Sequence, residues 1–217
     1  MERMKLVTGK LTGVLFSAMV LAVTSFSAQA AVLTVTNTDD SGAGSLRDTI
    51  AAAANGDTVQ FDPALSGQAI TLTSAELLID KDLAIAGPGA NKLTVQRSTA
   101  AGTPAFRIFR MAPSNFQFPS SVTLAGLTIA NGNTPEGGGG INFYGGELTI
   151  ANCVVSGNSA EYGGGVFGSS GPGSPRVSIT NSVISGNSAA YGGGIYIHFI
   201  AGSYTLQPGR LAMTNST

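Results

Sequence analysis

The segment "SGNSAEYGGGVF" begins at Ser156, and "SGNSAAYGGGIY" follows it in the next copy, beginning at Ser185. Self-similarity at a period of roughly 20–50 residues is the mark of a chain built from stacked copies of one unit. Three stretches share the same grammar: "VTLAGLTIANGNTPEGGGGINF" from Val122, "LTIANCVVSGNSAEYGGGVF" from Leu148 and "VSITNSVISGNSAAYGGGIY" from Val177. Each reads as a strand, a small polar corner, a second short strand ending in Gly-Asn, a run of glycines and a third strand. A fourth copy opens at "RLAMTNST".

The spacing of the copies is uneven in an informative way. Gly132-Asn133, Gly157-Asn158 and Gly186-Asn187 are taken as equivalent pairs, and the second step between them is longer than the first. The interval from Asn181 to Asn215 is longer still, because "HFIAGSYTLQPG" is inserted. Insertions at one fixed point of a repeat are loops on one side of a solenoid. Three short strands per repeat and no helix predict an all-β fold, a right-handed parallel β-helix. The spacing itself does not give the hand, which is taken from the crossover rule for parallel strands together with the resemblance of the repeats to right-handed β-helix proteins. In such a coil each residue lies over its equivalent, about 4.8 Å away. Asn152, Asn181 and Asn215 are therefore expected to stack as one amide ladder, and Asn133, Asn158 and Asn187 as a second. Leu148/Ile150, Val177/Ile179 and Leu211/Met213 are expected to fill the interior, and the triple glycines to allow bends and close backbone approach.

Ahead of the repeats, "VLTVT" (residues 32–36) alternates as a strand, and "SLRDTIAAAANGD" changes period. Ser45 with Asp48 resembles a capping box, Gly56 suits a helix stop, and Leu46, Ile50 and Ala53 share one face. A short helix over about 45–54 is predicted, placed to cap the coil. From Thr58 onward come "TVQF", "AITLT", "ELLID", "DLAIAG", "KLTVQ" and "FRIFR", all read as strands. The expected organisation is a signal peptide at 1–30, a capping segment of strand, helix and strand at 31–66, and the β-helix at 67–217 with its last rung incomplete. On that expectation the sequence is the front part of a longer protein.

The signal-peptide reading rests on a basic start in "MERMKLVTGK", the apolar run "LTGVLFSAMVLAV" and the small-residue site "SAQA", with Ala31 as the first mature residue. Setting aside Glu2, Arg3, Lys5 and Lys10 leaves eight basic and eleven acidic groups. With no basic cluster, the chain is not expected to bind nucleic acid. No later segment reads as a membrane span. Cys153 is the single cysteine, so no internal disulfide is expected, and it reads as a small filler where the later copies have serine.

The Gly-Asn-Ser-Ala…Gly-Gly-Gly-Ile pattern, at Gly157–Val166 and Gly186–Ile195, resembles the repeat of the polymorphic outer-membrane proteins and related bacterial right-handed β-helix proteins. Gly stands here in place of an Ala of that motif, and Val155 or Ile184 in place of its Phe. The stretch "TVTNTDDSGAGSLRDTIAAAANGDTVQF" resembles the N-terminal domain named for a Cys-Ser-Leu-Arg-Glu-Ala signature, with Gly44-Ser45-Leu46-Arg47-Asp48-Thr49 at the signature. The resemblance implies export, a surface or secreted location in the bacterial outer membrane or medium, and adhesive function in some members.

The sequence assigns no catalytic residues, no metal ligands and no cofactor. Asp39-Asp40 and Asp80-Lys81-Asp82 sit in turn-like contexts, the glutamates of the repeats are dispersed, and His198 has no evident orienting partner. The glycine runs lack the Lys-Ser/Thr of a phosphate loop. Tyr162 and Tyr191 are the candidate binding residues: one rung apart, they form either a structural stack or a grip on a sugar ring. Two functions stay open. One is an exported, non-enzymatic scaffold for adhesion, binding glycans, extracellular matrix or other cells. The other is a polysaccharide lyase or glycoside hydrolase whose active site lies in further C-terminal rungs.

Overall fold

A computed structural model describes residues 29–112, 121–169, 176–198 and 210–217. The signal peptide read over 1–30 falls almost wholly outside the described residues, as does the insertion after His198. The chain opens with β1 (Val32–Val35), the helix α1 (Leu46–Ala52) and β2 (Asp57–Phe61), then β3 (Gln68–Leu72), β4 (Leu77–Ile79), β5 (Leu83–Ala86) and β6 (Leu93–Arg97). It continues through β7 (Phe109–Met111), β8 (Ser121–Ala125), β9 (Thr128–Ala130), β10 (Ile141–Tyr144), β11 (Glu147–Ala151), β12 (Val154–Ser156) and β13 (Ser159–Tyr162). The last turns are β14 (Val166–Ser169), β15 (Arg176–Thr180), β16 (Val183–Ser185), β17 (Ser188–Tyr191), β18 (Ile195–His198) and β19 (Arg210–Thr214).

These strands wind into an all-parallel β-solenoid of about five turns with one short helix. The first face orders β1-β2-β5-β8-β11-β15-β19, the second β3-β6-β9-β12-β16 and the third β4-β7-β10-β14-β18. Each strand alternates between core and solvent because its side chains point to opposite faces. Leu148, Ile150, Val177 and Ile179 are buried in register with Val122 and Leu124. Leu211 and Met213 keep that register yet are 46% and 44% exposed, because no described strand lies beyond β19 to cover them.

Three expectations about the rungs are corrected. The two Gly-Asn pairs of the first step are not equivalent, since Gly132, not Asn133, lies beneath Asn158 and donates its N–H to Asn158 Oδ1. Asn133 pairs instead with Ser159 and is no part of the ladder. The triple-glycine repeats also carry a fourth strand, with β13 pairing β17 through Ser159–Ser188, Ala160–Ala189 and Tyr162–Tyr191. Finally, "FRIFR" becomes a strand only from Phe109. Ile108 and Phe109 are both fully buried, so the alternation breaks there and the chain turns a corner.

The ladder of Asn152, Asn181 and Asn215 does form. Asn181 Nδ2 donates to Asn152 Oδ1 at 3.5 Å, and Asn215 Nδ2 to Asn181 Oδ1 at 3.3 Å. All three sit at positive φ. Asparagine is the side chain best tolerated there after glycine. Asn158 and Asn187 make the tighter pair: Asn158 is 1% exposed and its Nδ2 donates to Asn187 Oδ1 at 2.9 Å. A Cβ on Gly164 would collide with the Ser188 carbonyl oxygen of the next rung, so side chains are excluded where the rungs touch. Cys153 is buried among core residues, and burial pushes its thiol up.

At the front end Ser45 Oγ accepts from the Asp48 N–H, capping α1, while Leu46, Ile50 and Ala53 face the core. The helix ends at Ala53 in extended backbone rather than at Gly56, which instead makes the turn into β2. Arg47 ties the cap down. It donates to the Asp40, Ala75 and Glu76 carbonyls and to Asp40 Oδ1 at 2.7 Å. Burial works to raise the Asp40 carboxyl, but Arg47 and the Thr73 and Ser74 donors outweigh it and hold it well below the usual range.

Candidate functional site

The outward residues of the third face form one vertical row: Leu78, Arg110, Asn142, Phe167 and Tyr196 are partners in register. A second row places Tyr144, Ser169 and His198 beside them. Apart from exposed Leu78, the row is polar and charged in its lower half and aromatic in its upper half, and the two halves do different things.

The lower half borders a cleft of about 740 Å³ lined by Glu76, Phe106, Arg107, Arg110, Glu136 and Asn142 among others. The corner before β7 carries Arg107 inward until its side chain is only 8% exposed. Its Nη2 donates to Glu136 Oε2, and its Nε lies 3.2 Å from Glu76 Oε2 without the alignment of a hydrogen bond. Arg110 Nη1 reaches the other Glu76 oxygen at 3.5 Å. Two guanidinium forks and two carboxylates thus share one concavity, with Asn142 Nδ2 anchored to the Gly137 carbonyl. A nearly buried arginine bound to exposed Glu136 is a preorganised donor fork.

Beside the upper half, on β13 and β17, lies the predicted pair. Tyr162 and Tyr191 stack with centroids 5.1 Å apart and planes 10° from parallel. Phe167 and Tyr196 stack beside them at 6.0 Å and 4°. The ladder spacing therefore covers the shared ring faces and leaves edges and hydroxyls to solvent. Among the described residues Tyr191, 56% exposed, offers an outer ring face on which a sugar can lie flat. The neighbouring Glu161 carboxylate raises the Tyr162 phenol above its ordinary value. His198 is exposed at the edge of the cluster, its ring 6.3 Å from that of Tyr196.

The glutamates read as dispersed are therefore brought together in part. Glu76 and Glu136 meet on one arginine, although they lie two turns of sequence apart. The signal was present as spacing: Arg107 to Glu136 is 29 residues, one repeat step. The Asp39-Asp40 and Asp80-Lys81-Asp82 pairs stay in turns, where Asp40 accepts from Thr73 and Ser74 and Asp82 Oδ1 accepts from the Ser121 N–H at 2.6 Å. Among the described residues no three His, Cys, Asp or Glu side chains gather as a metal site. None of the described helices is long and apolar enough to cross a membrane.

Fold and cleft together define a parallel β-solenoid with one outward-facing polar and aromatic side. No protein-family model, curated protein or solved structure matches the chain.

Proposed function

We propose that this is an exported β-solenoid scaffold that binds glycans on its third face. The observation that carries the reading is the cleft of Arg107, Arg110, Glu76, Glu136 and Asn142 running into an aromatic ladder. Sugars present rims of hydroxyls and apolar C–H faces; planar forks of donors and acceptors match the first, and aromatic surfaces the second. The cleft volume falls within the roughly 300–1,000 Å³ typical of small-ligand sites. Export is supported by the leader-like first thirty residues, and adhesion at a bacterial surface by the resemblance of the repeats to polymorphic outer-membrane proteins.

The test is a glycan array probed with the purified chain, followed by titration of the best ligand. Arg110→Ala is expected to weaken binding about tenfold or more, the worth of a charged hydrogen bond. Thr149→Ala, on the outer side of the first face, is expected to leave it unchanged. No retained glycan, or equal affinity for Arg110→Ala and the parent, would overturn the reading. One observation favours a second reading, cleavage of the bound glycan: Glu76 and Glu136 occupy the same cleft, and glycoside hydrolysis uses a pair of carboxyl groups. Release of reducing or unsaturated ends from polysaccharides, lost in Glu136→Gln, would establish it.

A further inference from the structure

Inward positions of the first face are apolar turn after turn, and Asp57 departs from that pattern. The column runs Asp57, Leu83, Val122, Leu148, Val177 and Leu211 in register. Asp57 is 5% exposed and shares its inward parity with Val59 and Phe61. A buried carboxylate is tolerated only where it is paired or densely hydrogen-bonded. Its Oδ2 accepts from the Ala54 N–H at 2.7 Å, and its Oδ1 accepts from the Ala31 N–H, also at 2.7 Å. Those two donors are neutral amides. The neighbouring cation, Lys81, spends its ammonium on the Ile50, Ala51 and Ala53 carbonyls at the end of α1 and on Asp80 at 3.4 Å. Ala31 itself is fixed, because its carbonyl accepts the Thr58 N–H at 2.8 Å. Its nitrogen is thus held against a buried carboxylate.

We propose that hydrolysis of the Ala30–Ala31 peptide bond completes the fold, by making the Ala31 α-ammonium the counter-charge of Asp57. The reaction consumes one water and leaves a carboxylate on Ala30 and an amine on Ala31, which takes a proton at neutral pH. The N–H contact seen here, charged so far only on its acceptor side, then becomes an ion pair with both partners charged. The inference rests on the export reading, because a leader peptidase is the agent that cuts after the small residues of "SAQA". It adds a function for the cut: trimming places a charge where the folded coil already has a receptor.

Two experiments separate the inference from the reading it rests on. In the first, the 217-residue chain is expressed in an exporting bacterium and the product's N-terminus is sequenced. Ala31 is expected, and any other terminus overturns the cleavage site. In the second, the chain is released from a carrier with Ala31 first, so pairing is tested however export turns out. The α-amine is followed by pH titration. Asp57 from β2 is the charged group in contact with it; Lys81, from the turn before β5, acts on Asp57 through its charge and is itself paired with Asp80, while α1 presents the carbonyls that Lys81 caps.

The amine is expected to titrate about one unit or more above the usual value of roughly 7.7–8.0. Asp57→Asn should return it to that range. Acetylated Ala31 keeps the N–H and Asp57 but removes the charge, which covers the case in which Asp57→Asn does not fold. Acetylation is expected to lower the melting midpoint by a few degrees near neutral pH. The gap should close as pH rises through the raised amine value, where the free amine also becomes neutral. Equal midpoints for free and acetylated chains, or an amine that titrates in its ordinary range, would overturn the proposal.

Discussion

Gly164 and Gly56 separate two reasons for glycine. A Cβ on Gly164 would collide with the Ser188 and Gly193 carbonyl oxygens, so neighbouring rungs would have to move apart. Gly56 lies in the left-handed region with open space around it, so alanine there meets only backbone strain. Urea denaturation should find Gly164→Ala destabilised by about 2–4 kcal/mol, against about 1 kcal/mol for Gly56→Ala. The asparagines divide in the same way. Asn158 is buried and bonds to Gly132, Ile129, Ser156 and Asn187. Asn158→Ala should therefore cost about 2–4 kcal/mol in the same measurement. Asn152 is exposed and at positive φ. Glycine adopts that backbone freely, so Asn152→Gly should stay close to the parent, with a midpoint shift much smaller than that of Asn158→Ala.

The cap is the element that departs from the repeat, and its strength comes from Arg47 and Asp40. The Asp40 carboxyl is held below its ordinary value of 3.8, so the folded state binds fewer protons there than the unfolded one as the solution is acidified. Its contribution is complete above that value and is lost as pH falls below it toward the depressed one. Urea midpoints measured from pH 6 to pH 2.5 should fall more steeply for the parent than for Asp40→Asn, a variant already weaker at about pH 6. How far such elements were legible depended on whether their signal was local. Ser45, Leu46 and Ile50 announced α1 through spacing within one helix. The identity of "GNSA" and "GGG" in two copies announced the turns of the coil. The cleft was not legible, because Glu76, Arg107 and Glu136 meet only after the register is fixed, and a corner at Ile108 broke the alternation of "FRIFR". The one-residue offset of Asn133 likewise hid in the similarity of "ANGN" to "VSGN".

Across the whole molecule stability is passed from rung to rung, since each strand bonds to its counterparts above and below. Interior rungs have two neighbours, whereas β19 has one and leaves Leu211 and Met213 half exposed. Hydrogen exchange on the 217-residue chain should be slowest in β5, β8 and β11 and fastest in β16 and β19, decaying along the axis; uniform protection would contradict a nearest-neighbour solenoid. Charge follows the axis less simply. Glu147 pairs with Arg176 at 3.0 Å, but Arg176 and Arg210 are also partners in register, so one column sets like charges side by side. The asparagine ladder has a direction as well. Asn215 gives a hydrogen to Asn181, which gives one to Asn152, so the amide dipoles point the same way and reinforce one another like links in a wire. The seam is therefore polar, with an acceptor terminus and a donor terminus that are not interchangeable. Loss of Asn152 hands the Asn181 amide hydrogen to water, while loss of Asn215 frees a lone pair to it, so the coil answers differently at its two ends.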